Sequence, residues 1–572
     1  MKFEILGGNQ NADISIEQIQ KGDIVYAMVK MTLPAPEIPE PFQVCWKHES
    51  IDCYAIWSPA IRQGRKIGVS WSKRRTDSRF ASWMPLHLLV SAGGQNRLAI
   101  AVSDTMNPIA IKTGICEEDG CFECEVEFFT IPTTQITEYS AVIRLDIRNV
   151  EYSDSIYDAV AWWENECGYS QAYVPECAKL PINSLWYSYH QVLNKERIVE
   201  ECRLSKKLGM ETVIIDAGWQ TDDNSKSYAF CGDWEVAYGK MGDMKELVDR
   251  IHAEGMKVIL WYSIPYIGIH SKKYEEYKDM ILEQTGDNCT FFALDPRYKK
   301  VRDYLVQTYT EAVKNWGLDG LKLDFIDAFC LKGKSIELDP RRDYNSLEQS
   351  LDVLLTEVTS KLKALNPEIL IEFRQSYIGP SIRKYCNMLR VADCPNDALS
   401  NRVDIVNLRL TSGKTAVHSD MIMWSDNDTV ESAALQFASI LYSVPQISMR
   451  IGDLREEHYE MLQYYMSFWL NWKDVLLDGK LTAKNQEIGY SIVRCGKDDK
   501  AVFTVYINTT VEMDTREAVV VNATGAEALV VKNAAGKNYH IVSCKGEKIS
   551  AGVVDSDLKE FAVPRAGMLF LS

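Results

Sequence analysis

Lys322 and Asp324 stand two apart at the end of the apolar stretch Leu321-Lys322-Leu323-Asp324, which follows Trp316-Gly317-Leu318-Asp319-Gly320. On a strand, residues two apart share a face, so the ammonium and the carboxylate project together while Leu321 and Leu323 pack behind them. A cation beside a carboxylate keeps it ionised, which suits a nucleophile or a ligand for a polar substrate; for these two residues alone, a plain strand-end ion pair is the alternative. Other apolar runs end in the same way, at Asp216, Trp261, Glu372, Asp393 and Asp420. Carboxylates gathered on one face repel unless a ligand, a metal or basic residues such as Lys322, Arg374 and Arg390 compensate, so a functional site explains the pattern better than chance.

Two chemistries use such a set. In glycoside hydrolysis one carboxylate attacks the anomeric carbon and a second protonates the leaving oxygen, while other polar groups hold hydroxyls and tryptophans stack on the ring. In divalent-metal catalysis Asp324, Glu372 and Asp393 would be oxygen ligands. The tryptophans favour sugar, a lysine two residues from the central aspartate is a poor neighbour for a metal ligand, and no pair among the 8 histidines has zinc-ligand spacing. A protein that binds carbohydrate without catalysis is the third class.

The elements that would position these residues follow from periodicity. Between about residues 180 and 480 apolar strand-like runs alternate with helical spacing, such as Leu347, Leu351, Leu354, Val358, Leu362 and Leu365. Strands are expected at Ile182–Tyr187, Thr212–Asp216, Lys257–Trp261, the Lys322 segment, Ile369–Phe373, Met388–Asp393, Thr415–Asp420 and Gln446–Arg450. Eight strands with outer helices make a (β/α)8 TIM barrel, whose chemistry sits at the C-terminal strand ends. A doubly wound open sheet is disfavoured because no glycine-rich phosphate loop follows the first strand. Short β-rich runs separated by turns precede and follow the barrel. The expected division is an N-terminal β-sandwich domain over 1–175, the catalytic barrel over 176–480 and a small C-terminal β domain over 481–572. Trp46, Trp57, Trp71 and Trp83 fall in the first of these and read mainly as core.

The net charge of -17 argues against nucleic acid or an anionic membrane as a partner. The first residues lack the apolar core of a signal peptide, and no run reaches the roughly 18 apolar residues of a membrane helix. The 15 cysteines are odd in number and scattered, which reads as reduced thiols in a cytoplasmic protein. Cys121 and Cys124 are three apart on an alternating strand and point to opposite faces, so a zinc site with Cys116 is not expected.

Ile214-Ile215-Asp216-Ala217-Gly218-Trp219-Gln220, Leu260-Trp261, Leu321-Lys322-Leu323-Asp324 and Arg390-Val391-Ala392-Asp393, in this order on successive strands, resemble the α-galactosidases of glycoside hydrolase family 36 and the related family 27. The resemblance covers about residues 180 to 480 and implies a retaining, exo-acting, cofactor-free hydrolase of terminal α-linked galactose or a related sugar. By that resemblance Asp324 is the nucleophile and Asp393 the acid/base, with Asp397 the runner-up for the second role. Lys322 and Asp216 would hold ring hydroxyls, Trp219 and Trp261 would line the sugar pocket, Glu372 lies where family 27 keeps a binding acid, and Arg390 joins the binding set at a spacing that differs from the family's arginine. Glu372-Phe373-Arg374-Gln375-Ser376-Tyr377 stands in place of the glycine-rich cysteine motif of the longer family members; Arg374 there could approach an anionic or unusually decorated sugar, with a structural ion pair as the alternative. Ala217 stands where the family has a second aspartate that reads the C4 and C6 hydroxyls, which opens the identity of the sugar. A raffinose-synthase-like transglycosidase is the nearest alternative. The substrate is an oligosaccharide or glycoside, and a homo-oligomer is compatible with the sequence.

Overall fold

The computed structural model describes residues 1–62, 64–282, 289–331 and 339–572. Eight parallel strands form one sheet: β1 (Ile182–Ser184), β2 (Thr212–Ile215), β3 (Lys257–Ser263), β4 (Gly320–Asp324), β5 (Leu370–Arg374), β6 (Met388–Arg390), β7 (Ala416–His418) and β8 (Gln446–Ile447). They pair in the order β7-β6-β5-β4-β3-β2-β1-β8. The lead-in to β8 closes the ring, since Val444 donates its N–H to Val417 O at 2.8 Å and accepts from Ser419 N at 3.1 Å. This is the expected (β/α)8 barrel, with its strands buried on both faces.

Side chains two apart on each strand rise through the barrel in layers. Ile182, Ile214, Ile259, Leu370, Met388 and Ala416 form an apolar floor at the N-terminal end. Lys322 pairs in register with Trp261 on β3 and Glu372 on β5, and Asp324 lies one layer higher beside Ser263. Arg374, Arg390 and His418 share a register across β5, β6 and β7. Parallel pairing therefore carries the chemistry-bearing residues to one mouth.

Helices cover the outside wherever the 3.6-residue pattern runs. Lys299–Trp316, which feeds β4, ends where Gly317 adopts φ 71° and its N–H bonds Val313 O, a left-handed cap that favours glycine. Between β5 and β6 only a short 3-10 turn, Arg383–Tyr385, replaces a helix among the described residues. That gap is covered by the N-terminal unit: Ser381 Oγ donates to Thr105 O at 3.1 Å, and Phe80 meets Tyr385 edge-on at 6.5 Å between centroids.

The N-terminal unit is the expected sandwich, with a 5-stranded and a 6-stranded antiparallel sheet around Val29, Phe42, Val44, Leu98, Ile100, Val126 and Ile143. Along Cys121–Phe128 burial alternates, so Cys124 is buried while Cys121 lies on the other face. Trp46 and Trp57 are core, Trp83 is half-buried and Trp71 is exposed. The reading of residues up to 175 as β structure is corrected at Tyr152–Asn165, a helix whose buried residues Tyr152, Ile156, Ala159, Val160 and Trp163 recur at helical spacing. After the barrel, a 7-stranded and a 3-stranded sheet enclose a second β core around Phe503, Val520, Leu529 and Leu569. Tyr490 ties all three units, accepting at its hydroxyl from Trp57 Nε1 at 3.1 Å and donating to Asn407 Oδ1 at 2.6 Å. No helix among the described residues is long and apolar enough to cross a membrane.

Candidate active site

Asp324 ends β4 with its carboxylate held from several directions. Oδ1 accepts from Arg374 Nε at 2.6 Å, from Tyr377 OH at 3.1 Å and from Phe325 N at 2.8 Å, while Oδ2 accepts from Trp261 Nε1 at 3.1 Å. Burial alone would raise its pKa, but Arg374, Lys322 and Arg390, aided by the Trp261 bond, hold the carboxyl well below the usual carboxylate range. It is an aimed, ionised acid.

One layer lower, Lys322 Nζ meets Asp216 Oδ2 at 2.7 Å, both nearly buried. Burial would lower the lysine pKa; Asp216 reverses this, so the ammonium stays charged. Asp393, just beyond β6, is different. Its side chain is 49% exposed and its Oδ1 lies 2.8 Å from Arg390 Nη1. Burial pushes its pKa up, but Arg390, then Arg374 and Lys322, bring it below the ordinary range.

Arg390 is 1% exposed and faces three carboxylates: Asp420 at 2.6 Å, Asp393 at 2.8 Å and Glu372 at 3.8 Å. Asp420 also accepts at Oδ2 from Tyr187 OH at 2.8 Å and Cys394 N at 2.7 Å. Glu372 Oε2 accepts from Gln446 Nε2 at 2.6 Å, and burial raises the pKa of both Glu372 and Asp420. His418, pushed down to about 4 by burial, is neutral at pH 7, its Nε2–H donating to Ala178 O at 2.8 Å. The deeper layer is thus a buried polar network, with Glu372 Oε1, Arg390 Nε and Gln446 Oε1 left without a hydrogen bond among the described residues, beneath the groups at the mouth.

The structure brings Asp216, Trp261, Lys322, Asp324, Glu372, Arg374, Arg390 and Asp393 to one mouth, and it corrects two expectations. Trp219 does not line that mouth: it is 0% exposed, donates to Trp261 O at 2.8 Å and packs against Trp234, Tyr262 and Trp316 between strands and helices. Asp397 is the N-cap of the helix Ala398–Thr411, its Oδ1 accepting from Ser400 N at 2.9 Å. Replacing Asp397 with alanine should cost about 1 kcal/mol of stability through the lost cap while leaving the mouth intact. Urea unfolding beside an activity assay checks this; a collapse of activity without a stability change would restore Asp397 as an acid/base. Two further roles shift. Trp261 is 1% exposed, so its N–H toward Asp324 rather than its face is what it offers, and Arg390 Nη1 is committed to Asp393 and Asp420, which makes it first a carboxylate partner.

Sequence reasoning missed Tyr377 and Tyr187. Tyr187 sits just past β1, at a strand end that the mouth argument could have included; Tyr377 lies beyond β5, where strand periodicity has stopped and no signal marks it.

Strand-end carboxylates interleaved with cations at the mouth of a parallel eight-stranded barrel are a set of groups that glycoside hydrolysis could use. The sequence profile of the Melibiase family matches residues 173–412. The bifunctional alpha-galactosidase/sucrose kinase AgaSK of Mediterraneibacter gnavus is 28% identical over 233 residues, 39% of this chain and 23% of that protein. The A type blood alpha-D-galactosamine galactosaminidase of Flavonifractor plautii is 23% identical over 199 residues, 31% of this chain and 18% of that protein. The crystal structure of the GH36 alpha-galactosidase AgaA from Geobacillus stearothermophilus in complex with raffinose superposes with TM-score 0.68 at 15% identity, covering 98% of this chain and 81% of that one. Residues 173–412 are thus similar to the Melibiase family, and the fold is similar to that of the GH36 alpha-galactosidase AgaA. The chain's matches span about a quarter or less of the two curated relatives named here.

Proposed function

We propose that this chain is a retaining, exo-acting α-glycosidase, α-galactosidase-like, working without a cofactor by double displacement on an oligosaccharide or glycoside. The observation that carries the reading is the contrast between Asp324, buried and locked by Arg374, Tyr377 and Trp261, and Asp393, half-exposed on the next strand but one. Asp324 attacks the anomeric carbon to form a glycosyl ester, its neighbours fixing the line of attack. Asp393 gives a proton to the departing oxygen, then takes one from the water that hydrolyses the ester. Lys322 and Asp216 are the hydroxyl ligands. The retaining geometry asks for about 5 to 6 Å between the two carboxyls. Asp324 faces Arg374, Asp216 faces Lys322, and Glu372, Asp393 and Asp420 share Arg390, so side-chain cations already compensate the carboxylates, which favours this reading over a divalent-metal centre.

Galactose is the first sugar to test, since relatives are named alpha-galactosidases; galactosaminides come next, after the Flavonifractor relative. Ala217, whose N–H bonds Asp216 Oδ1 at 2.8 Å, leaves one fewer carboxylate to read hydroxyls. A panel of aryl α-glycosides (galactoside, N-acetylgalactosaminide, glucoside and arabinopyranoside) decides among them, and no turnover of any would overturn the reading. The scattered cysteines fit a cytoplasmic setting.

The pH dependence follows from Asp393. Its lowered pKa leaves it ionised at pH 7 in the free protein, yet an alkyl leaving group needs its proton. For an alkyl galactoside, kcat/KM should therefore rise about tenfold per pH unit as pH falls from 7 toward the Asp393 pKa. An activated aryl galactoside, which needs little protonation, should stay nearly flat. Parallel profiles for the two substrates would contradict the assignment of Asp393.

A further inference from the structure

The N-terminal sandwich reaches the loops at the mouth through a short connection. Residues 79–85 join the strand Arg74–Ser78 of the 5-stranded sheet to Leu86–Val90 of the 6-stranded sheet, so the connection is fixed at both ends. It is also a tight turn, in which Arg79 N donates to Ser82 O at 2.9 Å and Ser82 N to Arg79 O at 3.0 Å. From this turn Arg79 Nη1 donates to Phe329 O at 2.7 Å and Nη2 to Asp327 O at 2.6 Å, gripping the loop that follows Asp324. Trp83 N donates to Ser376 O at 2.7 Å, and Ser82 Oγ meets Ser376 Oγ at 3.1 Å. Ser376 Oγ in turn donates to Asp327 Oδ2 at 3.0 Å, closing a ring of bonds among the turn and the loops after β4 and β5.

Ser376 belongs to the segment on which both proposed catalytic carboxylates hang. Arg374 and Tyr377 hold Asp324. Between them, Gln375 N donates to Arg390 O at 2.9 Å and Gln375 Oε1 accepts from Ala392 N at 2.9 Å, next to Asp393. Two bulky residues at the ends of this path stand in the left-handed region, Trp83 at φ 54° and Phe325 at φ 64°. Such backbone persists only where surrounding contacts impose it. Gly379 marks how closely the turn docks, because a Cβ there would lie 2.7 Å from Trp83 O.

We propose that the Arg79–Trp83 turn of the N-terminal sandwich is a positioning device for the active site, with Arg79 its principal residue: it sets where the Arg374–Tyr377 segment sits and so how Asp324 and Asp393 face each other. Arg79 touches no substrate. Its planar fork grips two carbonyls at once, which a lysine cannot copy. This inference rests on the proposed glycosidase reading for its effect on rate, but the placement it describes can be read without any substrate.

The test uses the full chain with Arg79→Ala, Arg79→Lys and the milder Ser82→Ala. After titration of active sites with a covalent inactivator, kcat per site should fall about 100-fold in Arg79→Ala, the scale of a misplacement near 1 Å. The sugar dissociation constant should barely move, because Lys322 and Asp216 are not touched by the turn. Guanidinium ion added to Arg79→Ala should restore part of the rate, and Arg79→Lys should remain slow. A purely structural role would lower the number of active sites and the melting temperature while leaving kcat per site unchanged, and that result would overturn the proposal. Amide exchange supplies the substrate-free arm: in Arg79→Ala and Ser82→Ala the Ala392 and Phe325 amides should exchange faster while the cores of sandwich and barrel stay protected. Unchanged exchange at both amides would overturn the proposal even if the parent turned over no sugar, an outcome that would separately defeat the glycosidase reading.

Discussion

Replacing Asp324 with asparagine should lower turnover by roughly 10⁴- to 10⁶-fold, the scale seen when a nucleophile is removed from a cooperating set. An amide cannot form the glycosyl ester, and the remaining groups can only bind and protonate. The fold should survive with reduced stability, since Arg374 loses the carboxylate it faces at 2.6 Å. The sign follows from the depressed pKa of Asp324. Its ionised form contributes stability that is present above the unfolded pKa and lost as pH falls through the folded one, and asparagine mimics the protonated state. Circular dichroism, urea unfolding and single-turnover assays on the same preparation check both halves. Normal turnover in a folded Asp324→Asn protein would exclude it as nucleophile.

Arg390→Met is expected to cost about 3–5 kcal/mol, because it strands Glu372, Asp393 and Asp420 together without their cation. Glu372 and Asp420 already have raised pKa values through burial, and losing Arg390 raises them further. A carboxyl whose folded pKa lies above its unfolded one takes up a proton on folding, so stability rises as pH falls through the interval between the two. The deficit of Arg390→Met should therefore shrink as pH is lowered from 7. Urea midpoints of parent and variant over a series of falling pH values measure it, and a deficit that is absent or independent of pH would show that Arg390 is not the electrostatic centre of the network.

The barrel was legible because its strands are short apolar runs that end in polar residues and alternate with helical spacing. Their register then carries Asp216, Trp261, Lys322, Asp324, Glu372 and Arg390 to one mouth without further information. The errors lie where periodicity stops. Trp219 follows Gly218, whose φ of 116° breaks the strand pattern, so the direction of the indole was not readable. Asp397 did carry a local signal, an acid three residues before a serine at a helix start, and that signal meant a cap. The helix at 152–165 was hidden in the β-rich tail of the sandwich. Contacts such as Arg79 with Phe329 join residues 250 apart in sequence, and only the folded chain brings them together.

The most direct test of the account is to incubate the protein with a fluorinated α-galactosyl inactivator, whose glycosyl ester hydrolyses slowly, and to map the adduct by peptide mass spectrometry. One sugar per chain, on Asp324 and absent from Asp324→Asn, is the predicted result. An adduct on another residue, or turnover of α-galactosides that releases the inverted sugar with no adduct at all, would contradict it.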